Sequence, residues 1–144
     1  MTQFHSSDLD IIRNGLDSVT DIMSLTLVRT ARSTIVRQGW DFSTAILSSD
    51  GELVGQGVSQ PLHLAGMMPA LEACTERYKD DIHPGDILAN NDPYEGGSHL
   101  PDIFLFKPVY LENKLLGYCA AMCHHTDIGG RMPGGQSPDS TEIY

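Results

Sequence analysis

The sequence predicts an α+β fold in which a long N-terminal helix packs on a mostly antiparallel sheet of hairpins. Three observations carry this expectation. Leu9, Ile12, Leu16, Val19, Met23 and Leu27 recur at alternating steps of three and four, the period of an amphipathic helix. Two pairs of short apolar runs flank turn signals, Ser48 to Glu52 with Asp50-Gly51 in the first and Leu111 to Lys114 in the second. A chain of 144 residues with 40% hydrophobic content is long enough for one core, so residues 1–144 read as one domain.

Ser6-Ser7-Asp8 is a capping sequence for the first helix, whose apolar stripe is expected to face the core and whose end is expected near Arg32 or Ser33. Thr34-Ile35-Val36 shifts the local preference toward strand, and Gly39 breaks the run. Phe42 to Leu47 and Leu53 to Val58 form the first hairpin, its second strand weakened by Gly55 and Gly57. Ala70 to Tyr78 predicts a second helix with Pro69 near its first turn. A turn at His83 to Asp86 precedes a short strand from Ile87 to Asn90, which delivers the chain to the loop Asn91 to Gly97. Ile103 to Tyr110 and Leu115 to Cys123 form the second hairpin, with Pro108 expected at an edge or a bulge. Beyond Asp127 the chain is rich in glycine and proline.

Charge narrows the partners. Nine Lys and Arg against nineteen Asp and Glu give a formal charge of −10, which excludes the basic patch that nucleic acid requires. No basic region followed by an apolar run marks a secretory signal, and no apolar segment reaches the length of a membrane span. Three cysteines in no framework spacing speak for reduced thiols, so a cytoplasmic location is expected.

The chemistry concentrates in a repeated pattern, His99-Leu-Pro-Asp102 and His124-His-Thr-Asp127, each beside paired glycines. Imidazole and carboxylate together form the mixed donor set that suits zinc, manganese or iron. Asp102 enters the first strand of the second hairpin and His124 leaves the second strand, so an antiparallel pair brings the two motifs together at its open end. Spacing does not choose between His124 and His125, because a one-residue slip exchanges them. Asp127 is a fourth ligand, an orienting partner or a general base. Asp92 either closes an Asx turn or presents its carboxylate to the same pocket. Cys119 and Cys123 read as small buried hydrophobes rather than thiolate ligands, and His63 as a structural histidine. Ser98 lacks a nucleophile elbow, and no Gly-x-x-x-x-Gly-Lys phosphate loop is present.

Asn91 to Asp102, His124 to Gly130 and Pro133-Gly134 resemble the hydantoinase B and oxoprolinase family, which includes N-methylhydantoinase B, 5-oxoprolinase and the alpha-type subunits of acetone and acetophenone carboxylases. Leu27 to Ser33, Asp41-Phe42-Ser43 and Pro61 to Met67 extend the resemblance along nearly the whole chain, although Gln38-Gly39-Trp40 departs from the charged residues usual there. The resemblance implies one divalent metal held by His99, Asp102 and His124, and so selects His124. It implies a hetero-oligomer with a hydantoinase A-type subunit that uses ATP, and a small-molecule substrate. The reaction it implies is hydrolysis of a lactam or cyclic imide, with Asp127 and Asp92 as the expected catalytic carboxylates. A ketone carboxylase subunit and a non-catalytic truncated module are the alternatives. Family subunits are several times longer, so this chain resembles their N-terminal portion, ending at Tyr144.

Overall fold

The computed structural model describes residues 5–135, 137–139 and 141; Tyr144, the point where the sequence suggests a longer relative continues, lies outside them. Strands β1 (Phe42–Ser48), β2 (Leu53–Gln56), β3 (Leu88–Asn90), β4 (Asp102–Leu111) and β5 (Lys114–His124) form one antiparallel sheet in the order β2-β1-β5-β4-β3. The mixed α+β class with a long N-terminal helix is the one the sequence predicts.

The β4–β5 hairpin sets the architecture. Its turn places Glu112 and Asn113 at φ 49° and 65°, the left-handed pair that a tight hairpin needs and that asparagine tolerates well. Pro108 immediately precedes the irregularity between Val109 and Tyr110 and lies beyond β3, which pairs only with Phe104 to Phe106. Of the edge and bulge expected for Pro108, the structure gives it the edge, with no β3 partner, so the proline's missing N–H costs the sheet little.

One face of the sheet is covered by helix α3 (Leu64–Tyr78). Met67, Ala70, Leu71 and Cys74 of the helix pack on Ala45, Leu47, Leu88, Phe104, Phe106, Tyr118, Ala120 and Met122. The helix begins six residues earlier than the sequence suggests, after a 3-10 turn at Pro61–His63, so Pro69 lies inside it rather than in its first turn. Tertiary packing explains the tolerance: the backbone of Gly96 sits against Pro69 and Ala70, where an added Cβ would fall 2.5 Å from the Pro69 carbonyl carbon. Asn90 ties the same loop to the helix, its Nδ2 donating to Ala70 O at 3.4 Å and to Glu95 O at 2.6 Å.

The other face meets helix α1 (Ser6–Thr30) beside β1 and β2. Asp8 accepts a hydrogen bond from the His5 N–H, so the cap begins one residue before the Ser6-Ser7-Asp8 sequence. The apolar stripe supplies only part of the contact, through the partly buried Leu16, Met23 and Leu27, with Leu16 against Gly55 of β2. Leu9, Ile12 and Val19 are exposed, whereas Thr20 and Ser24 are fully buried and Leu16 and Leu27 partly so. Small side chains permit a close crossing: a Cβ on Gly57 would meet Thr44 Oγ1 at 2.2 Å and Ser24 Oγ at 2.4 Å. The hydroxyls pair at 2.7 Å between Ser24 and Thr44, and Thr44 also donates to Thr20 O. Ser24→Ala is expected to lower stability by about 1 kcal/mol, because Thr44 keeps one partner; thermal unfolding should record a fall of a few degrees.

Thr34–Arg37, where strand preference is expected, forms instead a single helical turn, α2. Burial of Val36 overrides the local preference of β-branched residues. Gly39 then lets the chain turn back, since a Cβ there would lie 2.6 Å from Ile35 O. No helix among the described residues is long and apolar enough to cross a membrane.

Candidate metal centre

Strand pairing brings the two motifs together. Asp102 opens β4, His124 closes β5, and the two are direct partners in the ladder. The backbone carries on the register at both sides, with His124 N donating to Asp41 O and His125 N donating to Pro101 O. A side-chain bond from Asn91 Nδ2 to Leu100 O, at 2.9 Å, holds the loop that presents His99.

Asp102 is almost completely buried, 3% exposed, and each of its oxygens is engaged. Oδ1 lies 2.8 Å from His124 Nδ1 and 2.9 Å from His99 Nε2, and Oδ2 accepts from the Ser98 hydroxyl. The two imidazoles stack with centroids 5.1 Å apart. One ligand atom from each of His99, Asp102 and His124 lies within 4.8 Å of the others, and among the described residues this is the one such group. Two imidazoles and a carboxylate form the donor set of a catalytic transition-metal site, in which three protein ligands leave a position open. The donor chemistry fits a divalent ion.

Burial pushes the Asp102 carboxyl up, but hydrogen bonds from Ser98 and His124 and the charge and hydrogen bond of His99 outweigh it, leaving the group below its ordinary range. A lowered native value stabilises the fold above the unfolded value of about 3.9, and that stability disappears as the pH falls through the native value. In metal-free protein, the difference in unfolding free energy between wild type and Asp102→Asn is expected to be constant above about pH 5 and to shrink below pH 4. Denaturant titrations across that range measure it.

The cluster opens on a cavity of about 550 Å³, which is also lined by Asp41, Gln60, Leu62, His63, Gly66, Ser98 and Phe104. Asp41 and His63 thus line the cluster's cavity, where the sequence reading gives His63 a structural role and Asp41 none. Their signal in the sequence is the segments Asp41 to Ser43 and Pro61 to Met67, which carry part of the family resemblance. His63 is buried, with Nε2 3.4 Å from Asp41 Oδ1.

The two expected catalytic carboxylates do not line this cavity. Asp92 Oδ1 accepts from Tyr94 N at 2.9 Å and closes an Asx turn, on a separate cavity beside Cys74 and Arg77. Asp127 Oδ1 accepts from Gly129 N at 2.9 Å in the exposed loop after β5. His125 and Cys123 line an apolar groove with Ile103, Leu105 and Ala121. Burial pushes the Cys123 thiol up to about 11, and Cys119 is raised by burial too, so both are thiols at neutral pH.

The family model described as Hydantoinase B/oxoprolinase matches residues 6–144. The chain is 36% identical over 136 residues to the caprolactamase subunit beta of Pseudomonas jessenii, covering 94% of this chain and 23% of that subunit. It superposes on the crystal structure of the ATP-dependent caprolactamase from that organism with a TM-score of 0.90 at 34% identity, over 99% of this chain and 25% of that one. A 5-oxoprolinase of Pestalotiopsis fici is 37% identical over 94% of this chain and 11% of its own length. A nucleotide-free acetone carboxylase shares the fold, with a TM-score of 0.73 at 24% identity over 82% of this chain and 16% of that one. The chain thus spans a quarter or less of the length of these relatives. It belongs to the Hydantoinase B/oxoprolinase family.

Proposed function

We propose that this chain supplies the metal-binding corner of a subunit that opens a lactam or cyclic imide, working in a hetero-oligomer with a hydantoinase A-type subunit that uses ATP. The convergence of His99, Asp102 and His124 on one cavity carries this reading. Similarity to a caprolactamase and a 5-oxoprolinase supports the substrate class.

His99 Nε2, His124 Nδ1 and Asp102 Oδ1 hold the ion in this reading. When bound, a divalent ion such as manganese, zinc or iron supplies an electrophile that polarises oxygen and lowers the pKa of water. Ser98 fixes the Asp102 carboxylate through Oδ2, and the Asp102 contacts in turn fix both rings. Phe104, Leu62 and Gly66 give the cavity an apolar wall for the methylenes of a small ring.

Reconstitution with the ATP-binding subunit and the remainder of the family chain tests the reaction. ATP-dependent opening of caprolactam, 5-oxoproline or hydantoin is the expected result. Fixation of bicarbonate onto acetone, with no ring opening, would replace this reading with the ketone carboxylase that the shared fold of acetone carboxylase favours.

A further inference from the structure

Helix α1 is apolar on its outer side as well as toward the sheet. Thr20 and Ser24 face the sheet, while Ile11, Ile12, Val19, Ile22 and Leu25 stand on the opposite side, with Ile11 70% and Ile22 62% exposed. At the helical period these five side chains fall on one stripe about 140° wide, centred near Gly15. No contact within the chain explains this glycine. A Cβ on it would meet nothing within 4 Å, and glycine in an exposed helix interior costs about 1 kcal/mol relative to alanine. The hydroxyls on the stripe are ready to be covered: Ser18 Oγ donates to Asn14 O at 2.8 Å and Thr26 Oγ1 to Ile22 O at 2.7 Å. Its ends carry opposite charge, Asp8 in the first turn and Arg29 in the last.

The stripe is its own complement when the helix is reversed. Turning it over about the midpoint between Ser18 and Val19 brings Gly15 level with Ile22, Ile12 level with Leu25, and Asp8 level with Arg29. Ile22 then enters the gap that Gly15 leaves, as a knob enters a hole between packed helices. A parallel pair would instead set Asp8 on Asp8 and Arg29 on Arg29. A segment of unrelated sequence has no reason to repeat this symmetry, whereas a second copy of α1 repeats it by necessity.

We propose that the outer face of α1 is the two-fold interface of a dimer of this chain, in which the two helices pack antiparallel. The two symmetric contacts between Asp8 of one copy and Arg29 of the other fix the direction, and the isoleucines, Val19 and Leu25 supply the buried surface. The cluster's cavity is lined by Gly66 of α3, on the other face of the sheet, so the dimer leaves it open.

Sedimentation equilibrium of the intact chain reads the assembly directly. The expected mass is twice 15.7 kDa. Ile22→Glu and Gly15→Glu are both expected to halve it, and the second should give a monomer no less stable than the wild type, because the substitution raises helix propensity and touches nothing in its own chain. Ile87→Glu, at an isoleucine that is equally exposed but beside β3 at the other edge of the sheet, is expected to keep the dimer. Arg29→Glu reports the direction: antiparallel packing sets the introduced carboxylate against Asp8, so dissociation should become about tenfold easier at low salt. An unchanged or tighter Arg29→Glu dimer overturns the antiparallel pairing. A dimer that survives Gly15→Glu and Ile22→Glu, or one lost in Ile87→Glu, overturns the interface. A monomeric wild type overturns the inference altogether, and failure of Ile22→Glu to reconstitute with the remainder of the family chain would then give the face to that segment.

Discussion

Asp102→Asn is expected to abolish stoichiometric metal uptake by this chain. The carboxylate sits at the centre of the cluster, and one of its oxygens approaches both His99 and His124. Loss of a partner that merely orients a ligand costs roughly 10–100-fold in affinity, so loss of a proposed ligand should exceed that range. The amide also cannot accept from Ser98 with its nitrogen, so the metal-free fold should lose about 1–3 kcal/mol. His99→Ala and His124→Ala are expected to behave alike in metal binding. His125→Ala is the decisive contrast, because that residue is exposed, does not line the cluster's cavity and should leave uptake unchanged. Elemental analysis and calorimetric titration measure both. Full uptake by Asp102→Asn, or loss in His125→Ala, would sink the assignment.

Gly96→Ala is expected to be strongly destabilising, because conformation and contact both oppose a side chain there. Gly96 has φ 86°, and a Cβ would lie 2.5 Å from Pro69 C and 2.6 Å from Pro69 O and Ala70 N. Those atoms belong to helix backbone packed on the core and cannot swing aside as a side-chain tip would. Left-handed strain and overpacking together are expected to cost about 3 kcal/mol, a fall in Tm on the order of 10 °C. Gly129→Ala supplies the comparison, since φ there is 94° but nothing lies within 4 Å. It should show the strain alone, about 1 kcal/mol. Equal effects of the two substitutions would show that the contact with α3 does not hold the loop. A displaced loop also moves Ser98 and His99, so metal affinity should fall in Gly96→Ala and stay unchanged in Gly129→Ala.

Much of this arrangement is legible in the sequence where the information is local. The β4–β5 hairpin follows from two apolar runs and the Leu111 to Lys114 turn, and once it is paired Asp102 must meet His124. Helix α1 follows from its period. Its buried face does not: a helical stripe announces an apolar side without saying what covers it, and here Thr20 and Ser24 make the close crossing while Leu9, Ile12 and Val19 face outward. Likewise Pro69 reads as a helix start until Gly96 is packed against it.

By itself, the sequence determined the α+β class, the hairpin that carries the His and Asp motifs, and the family, because these depend on period, turn chemistry and long contiguous motifs. Only the tertiary structure decided which carboxylates face the cavity, engaging Asp92 and Asp127 in turns of their own and bringing Asp41 and His63 to the wall beside the cluster. The reason is physical: His63 comes within 3.4 Å of Asp41 through the packing of α3 on the sheet, and a contact made by packing between distant segments leaves no period or spacing in the chain.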